Sequence, residues 1–202
     1  MSIEDQLRWD KQHQSTHGSE EPSSFLAEMF AAEAWAIPRG LALDIACGKG
    51  RNAFFLAEQG FDVVAVDISP VALEEGRKRA AEKKLTITWE QADLEQIRLG
   101  ERTYYLVVNF NYLQRSLIPQ IKAALKPGGY VIFETYLMDP SATGHPRNPA
   151  YLLHETSCWV SFAISESSTI AKASFPNVGS GRFVPGSAPK KSFSIGALNP
   201  ED

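Results

Sequence analysis

The chain has 202 residues, enough for one domain with a sizeable core and a tail. Hydrophobic residues at 44% and charged residues at 22% are ordinary globular values, and a net charge of −4 without a basic stripe excludes nucleic acid as an expected partner. The acidic start MSIEDQLRWDK lacks a signal-peptide core and no apolar run approaches the ~20 residues of a membrane span, so a soluble, cytoplasmic protein without a membrane partner is expected.

Residues 3–12 and 24–36 read as helices, separated by the loop HGSEEPSS, with Ser23 and Ser24 as caps after Pro22. Pro38 and Gly40 stop the second helix, and a first strand spans about 41–45. A helix follows from about Asn52 to Gln59, with Gly60 suited to the left-handed position beyond it. FDVVAVD is the second strand; Ser69 then caps and Pro70 opens the helix VALEEGRKRAAEKK. TITWEQ and YYLVVNF are strands three and four, LQRSLIPQIKAALK a helix, KPGG a turn and YVIFET strand five. Strands alternating with helices predict an α/β fold, doubly wound around a mainly parallel sheet. The two cysteines, Cys47 and Cys158, form no spacing pattern and read as free thiols in a reducing compartment.

The chemistry lies at strand ends. Asp44 closes the first strand, Asp67 the second, and Asp93 follows the third. Ligands of an open α/β sheet bind at the carboxyl ends of its strands. Three acids there suit S-adenosylmethionine (SAM): an acceptor for its ammonium group, one for the ribose diol and one for the adenine amino group. Gly48 and Gly50 remove side chains where a ligand lies against the backbone, and the following helix start offers free N–H groups to a carboxylate. Asn52 caps that helix in this reading, and Arg51 is either near the carboxylate or an ordinary exposed arginine. The rival is a dinucleotide, because Gly48-x-Gly50-x-x-Ala53 nearly matches the G-x-G-x-x-G/A fingerprint. Asp44 before the loop would repel a pyrophosphate, and Asp93 has no counterpart in that fingerprint, so SAM is favoured.

The segments LDIACGKGRN, GFDVVAVDISPVALEEGR, QADLE, LKPGGYVIFETY and HPRNPAYLL resemble those of class I SAM-dependent methyltransferases, in particular the tellurite-resistance (TehB-like) methyltransferase-domain family, over about residues 8–153. The resemblance implies a Rossmann-like class I fold in which Asp44, Gly48 and Gly50 contact the methionine part, Asp67 the ribose and Asp93 with Leu94 the adenine. Ala46, where relatives carry the first glycine of the loop, Ile68 and Asn109 complete the cofactor-binding set. RWDKQ followed by EPSSFL resembles a segment that folds over the SAM site, giving a helical cap at 1–40 and a SAM-binding core at 41–154. Tyr105, where relatives usually have Asp, is expected to act on structure only.

Methyl transfer from a sulfonium is an in-line displacement in which alignment supplies much of the acceleration. It requires no metal, and a base only where the acceptor must lose a proton. The expected acceptor is a small molecule, such as an oxyanion or a thiol-like compound. No catalytic residue is assigned; Asn109, Tyr112, His145 and Arg147 are the acceptor-side candidates, with Asn111, Glu134 and Tyr136 behind them. His13 and His17 stand four apart without a third ligand, which makes a metal site unexpected. Trp9 reads equally as a lid over the pocket or as helix packing. The sequence sets no oligomeric state.

Beyond about residue 154 the character changes: residues 155–202 hold ten of the chain's eighteen serines. This atypical tail reads as largely disordered, notably from 176 onward. Read one base out of phase, the codons of FAISESSTIAKAS permit RDFRILYYREGI, which resembles the terminal antiparallel hairpin of the family. A frame shift near Leu153–Glu155 is therefore expected, with that hairpin missing or altered. The rival to an active enzyme is accordingly a truncated, inactive SAM-binding or poorly folded domain.

Overall fold

The computed structural model describes residues 3–16, 18–31, 37–136, 138 and 148–152, together with the backbone of 190–195. Helices α1 (Ile3–Ser15) and α2 (Ser24–Ala31) precede an alternation of β1 (Leu41–Ile45), α3 (Arg51–Glu58), β2 (Asp62–Asp67), α4 (Pro70–Glu82) and β3 (Ile87–Gln91). β4 (Tyr104–Phe110), a 3₁₀ turn at Arg115–Leu117, α5 (Ile118–Ala124) and β5 (Leu125–Tyr136) follow, and β6 (Lys190–Ile195) ends the series. The strands form one sheet in the order β3-β2-β1-β4-β5-β6. Its first five strands pair in parallel and β6 pairs antiparallel with β5. This is the doubly wound, Rossmann-like arrangement that the alternation predicts.

Both sheet faces are covered, as parallel strands require. On one face Leu43, Ile45, Val66, Val107 and Phe133 pack with α5 through Ile118 and Ile121. On the other, Ala42, Val63, Ala65, Val108 and Ile132 meet Phe25 and Leu26 of α2, Leu56 of α3 and Leu73 of α4. The two apolar sets alternate along each strand, so their period of two fixes which residues at the strand ends share a face.

The local signals hold where their chemistry is specific. Ser69 Oγ accepts from the Ala72 N–H at 3.1 Å and Pro70 opens α4. Gly60 takes φ +85° after α3. Tyr105 has the structural role expected of it: its ring fills the space over Gly40, where a Cβ would stand 2.7 Å from its Cδ2, and Lys126 lies 4.7 Å above the ring. KPGG is not a free turn. It is looped within β5 as a bulge, with Leu125 opposite Tyr104 and Tyr130 already opposite Leu106.

The tail corrects one expectation. Lys190–Ile195 is strand rather than disorder, in register from Val131↔Ile195 to Tyr136↔Lys190. A single antiparallel partner satisfies the backbone groups that β5 would otherwise leave open, and hydrogen bonding of that edge is what recruits a segment so poor in apolar residues. The terminal hairpin is thus altered: among the described residues one strand stands at that edge. The proposed frame-shift point at Leu153–Glu155 and the remainder of the tail lie outside the described residues.

Candidate functional site

The strand ends converge on the loop 46–50. Asp44 is in register with Ala65, two residues before Asp67, so both carboxyl groups project from one face of the sheet. Asp44 is 1% exposed; the Ala53 backbone N–H donates to it, while its Oδ2 has no hydrogen-bond partner. Burial first, and then the charge of Asp67, push its pKa up to about 8 against the opposing pull of Arg51. Asp67 is also raised by burial, but backbone donors hold it: Gly48 N–H reaches Oδ2 at 2.8 Å and Ser69 N–H reaches Oδ1 at 2.9 Å. One aspartate is therefore committed to shaping the loop, and the other keeps an acceptor in reserve.

The loop's backbone is unusual at Ala46, which takes φ +54°. That left-handed conformation favours glycine, and an alanine there is strained by ~1–2 kcal/mol. Gly48 takes φ +55°, and a Cβ on it would stand 3.4 Å from His13 Cε1. Gly50 has a different reason from the one the sequence suggests. A Cβ on it would stand 2.3 Å from Trp89 Cη2, and one on Gly76 would stand 2.5 Å from the same atom. Trp89 is wedged between the loop and α4, with Phe54 edge-on at 5.9 Å. Gly50 makes room for packing rather than bordering the cavity.

A cavity of about 180 Å³ opens above the loop. Of the residues expected in the cofactor set, Ala46, Gly48, Asp67, Ile68 and Leu94 line it, and so does the acceptor-side candidate Tyr112. Asp44, at 1% exposure, is not in that lining. Nor is Asp93, which sits in an adjoining depression with Ile3, Gln6, Gln91 and Gln96, and Ile68 borders both spaces. Asp93 accepts from the Glu95 N–H at 2.9 Å and from Gln96 Nε2 at 3.0 Å. Asn109 is also set apart. Its register with Ile45 puts it on the sheet face opposite Asp44, where it is 1% exposed with Oδ1 unpartnered. His145 and Arg147 lie outside the described residues.

The floor and walls contain further groups. Arg51, Asn52, Cys47, Phe110 and Asn111 complete the lower wall. Asn52 does not cap α3, whose N-cap is Gly50 without a side-chain bond. Its Oδ1 accepts from the Ser23 N–H at 2.9 Å, and Ser23 Oγ donates to Glu134 Oε2 at 3.4 Å, so the segment entering α2 is strapped to α3 and β5. Cys47 is buried and its thiol is pushed well up by burial and by the charges of Asp44 and Asp67, which suits packing and not nucleophilic attack. Burial, then Glu95 and Asp93, raise the Tyr112 phenol, which stays protonated and donates to Gln114 Oε1.

The roof is α1. None of its side chains is fully buried, yet Trp9 and His13, one turn apart and 6.0 Å between ring centroids, both line the cavity. Polar bonds hold the helix in place: Ser69 Oγ donates to Asp10 Oδ1, and Lys49 Nζ donates to the Thr16 carbonyl at 2.8 Å. Arg79 meets Glu20 at 2.9 Å on the following loop. His13 is the residue that sequence reasoning missed. Its spacing from His17 carries no metal site, whereas its i, i+4 spacing from Trp9 is the useful signal. No group of potential metal ligands occurs among the described residues, and no described helix is long and apolar enough to cross a membrane.

Residues 42–129 match a family model described as a methyltransferase domain. Hemagglutinin 1 of Eikenella corrodens is 37% identical over 94 residues, 44% of this chain and 31% of that protein. The uncharacterized methyltransferase YodH of Bacillus subtilis is 31% identical over 127 residues, 58% of this chain and 54% of that protein. The chain thus spans about half or less of the length of these curated relatives. Among solved structures, TehB from Haemophilus influenzae aligns with a TM-score of 0.66 at 14% identity, covering 94% of this chain and 67% of that one, which supports the fold.

Proposed function

We propose that this chain, whose residues 42–129 match a methyltransferase-domain model, is a class I SAM-dependent methyltransferase that transfers a methyl group from SAM to a small-molecule acceptor. The observation that carries the proposal is Asp44 Oδ2: a fully buried carboxyl oxygen without a hydrogen-bond partner, near the end of β1 and just before the glycine loop. An unpaired buried acceptor costs roughly 1–3 kcal/mol. It fits a ligand that brings its own cationic donor, as the ammonium group of SAM does. A pyrophosphate brings no cationic donor to stabilise the ionised form of Asp44, which disfavours a dinucleotide.

SAM supplies, when bound, an electrophilic methyl group on a sulfonium sulfur. The chain's part is to bind and align. Asp44 receives the ammonium group, and the α3 start with Arg51 faces the carboxylate. Asp67, stiffened by its two backbone donors, accepts from the ribose hydroxyls. Ile68 and Leu94 flank the adenine, whose amino group is directed at Asp93 across the border that Ile68 shares. Gly48 lets the ligand lie against the backbone. Helix α1 acts as the cap, with Trp9 and His13 excluding water from the cavity. The modest cavity under this roof supports an acceptor of small-molecule size, and the Tyr112 hydroxyl, whose hydrogen goes to Gln114, offers its oxygen as a hydrogen-bond acceptor to orient it.

Calorimetric titration with SAM and its demethylated product S-adenosylhomocysteine (SAH), followed by labelled methyl transfer to a panel of oxyanion, thiol and phenol acceptors, tests the proposal. Binding of both ligands and transfer to one acceptor class are expected. Absence of binding by either would overturn it.

A further inference from the structure

We infer that His13 senses the charge on the ligand's sulfur and so sets the preference of the site for the sulfonium of SAM over the thioether of SAH. The inference rests on the SAM reading above and goes beyond it, since that reading leaves His13 as a lid.

Geometry carries the argument. The imidazole hangs from α1 over the glycine loop, with Cε1 at contact distance from a Cβ placed on Gly48, and it lines the same cavity as Asp67 and Arg51. A charge held anywhere in a cavity of about 180 Å³ lies within a Debye length of its wall, ~8 Å at physiological salt. The charged groups that act on His13 are Asp67 at the end of β2, Lys49 of the loop and Asp10 of its own helix. Burial lowers its proton affinity, and Lys49 opposes the two acids. The ring therefore takes up its proton at a lower pH than an ordinary imidazole and is neutral near pH 7.

SAM and SAH share the ammonium, carboxylate, ribose and adenine groups and differ by one methyl group and one positive charge. An imidazolium in the cavity wall repels the sulfonium and leaves the thioether almost untouched. Thermodynamic reciprocity makes this a double statement. Acid weakens SAM binding relative to SAH, and SAM weakens proton binding by His13 relative to SAH by the same factor. Screened Coulomb interaction across the cavity gives about a three- to tenfold effect. A proton released by an acceptor during transfer would therefore find His13 more basic once the sulfur has lost its charge.

The test measures SAM and SAH affinities by calorimetry from pH 8 to pH 5.5 on the wild-type chain and on His13→Gln, and follows the His13 ring protons by NMR in each complex. The SAM-over-SAH preference should fall about three- to tenfold on acidification, and His13→Gln should remove most of that fall. The His13 proton should be held more tightly in the SAH complex by a matching factor. Acidification acting equally on wild type and His13→Gln, with one His13 titration in both complexes, overturns the inference while leaving the SAM reading intact. Failure of both ligands to bind the wild type at pH 8 overturns the SAM reading and the inference with it. A His13→Gln chain that binds neither ligand throws the decision onto the wild-type ring titrations, which decide alone.

Discussion

Replacing Asp44 by Asn should separate what this residue does for the fold from what it does for the ligand. Asp44 titrates at 3.8 in an unfolded chain and at about 8 in the fold. Between those values the folded chain keeps a proton that the unfolded chain releases, so this residue's contribution to stability is largest below pH 3.8 and declines as pH rises through the window. With 1.36 kcal/mol for each pH unit of difference, the decline between pH 5 and pH 8 is about 3–4 kcal/mol. An amide does not ionise, and the other titrating groups are common to both chains. The stability of Asp44→Asn relative to wild type, read from urea unfolding at pH 5, 6, 7 and 8, should therefore improve by about 3–4 kcal/mol across the series. The same variant should bind SAM more than tenfold more weakly. Pairing with an ammonium group favours the ionised carboxylate, so SAM binding near pH 7 should release close to one proton from wild type and far less from the variant; titrations in buffers of different ionisation enthalpy read this directly. A stability difference independent of pH would show that Asp44 ionises normally, and unchanged SAM affinity would remove it from the site.

Three further outcomes are expected. Asp67→Ala should weaken SAM binding by ~1–3 kcal/mol and also destabilise the loop, because the Gly48 and Ser69 N–H groups lose their acceptor; titration and unfolding together check both effects. Gly76→Ala should destabilise the fold by ~1–3 kcal/mol through contact with Trp89, and the cost should shrink in a Trp89→Leu background, as a double-mutant cycle would show. Resequencing the gene across the codons of Leu153–Glu155 should reveal a one-base difference whose correction yields a family-like strand pair; an unchanged frame together with a protease-resistant full-length chain would retire that reading.

Much of the fold was legible because its signals are local. The Ser69–Pro70 helix start, Gly60 and the alternation of apolar strands with amphipathic helices each depend on residues within one turn or one strand. The strand-end acids were equally legible, but their division of labour was not. Asp67 is engaged by Gly48, nineteen residues earlier, while Asp44 is left with a free oxygen, and that difference exists only once β1 and β2 lie side by side. Gly50 was misjudged for the same reason: its neighbour Trp89 arrives from β3, and nothing in the motif records it. Asn109 was grouped with the cavity because it ends a strand, yet the pleat turns it to the opposite face. Strand β6 was hidden because a short, polar edge strand is selected by the open backbone beside it more than by its own composition.

The pairing of β5 with β6 also has a temporal side. Tyr136 is synthesised long before its partner Lys190, and at ribosomal speeds of ~5–20 residues per second the intervening chain takes on the order of several seconds to emerge. During that interval the parallel core is already complete through β5, and its last edge stands open to whatever strand is nearest. Crowded neighbours on the same messenger compete with the chain's own terminus for that edge. The yield of native protein should then depend on translation speed and temperature in a way that the finished molecule's equilibrium stability does not reveal.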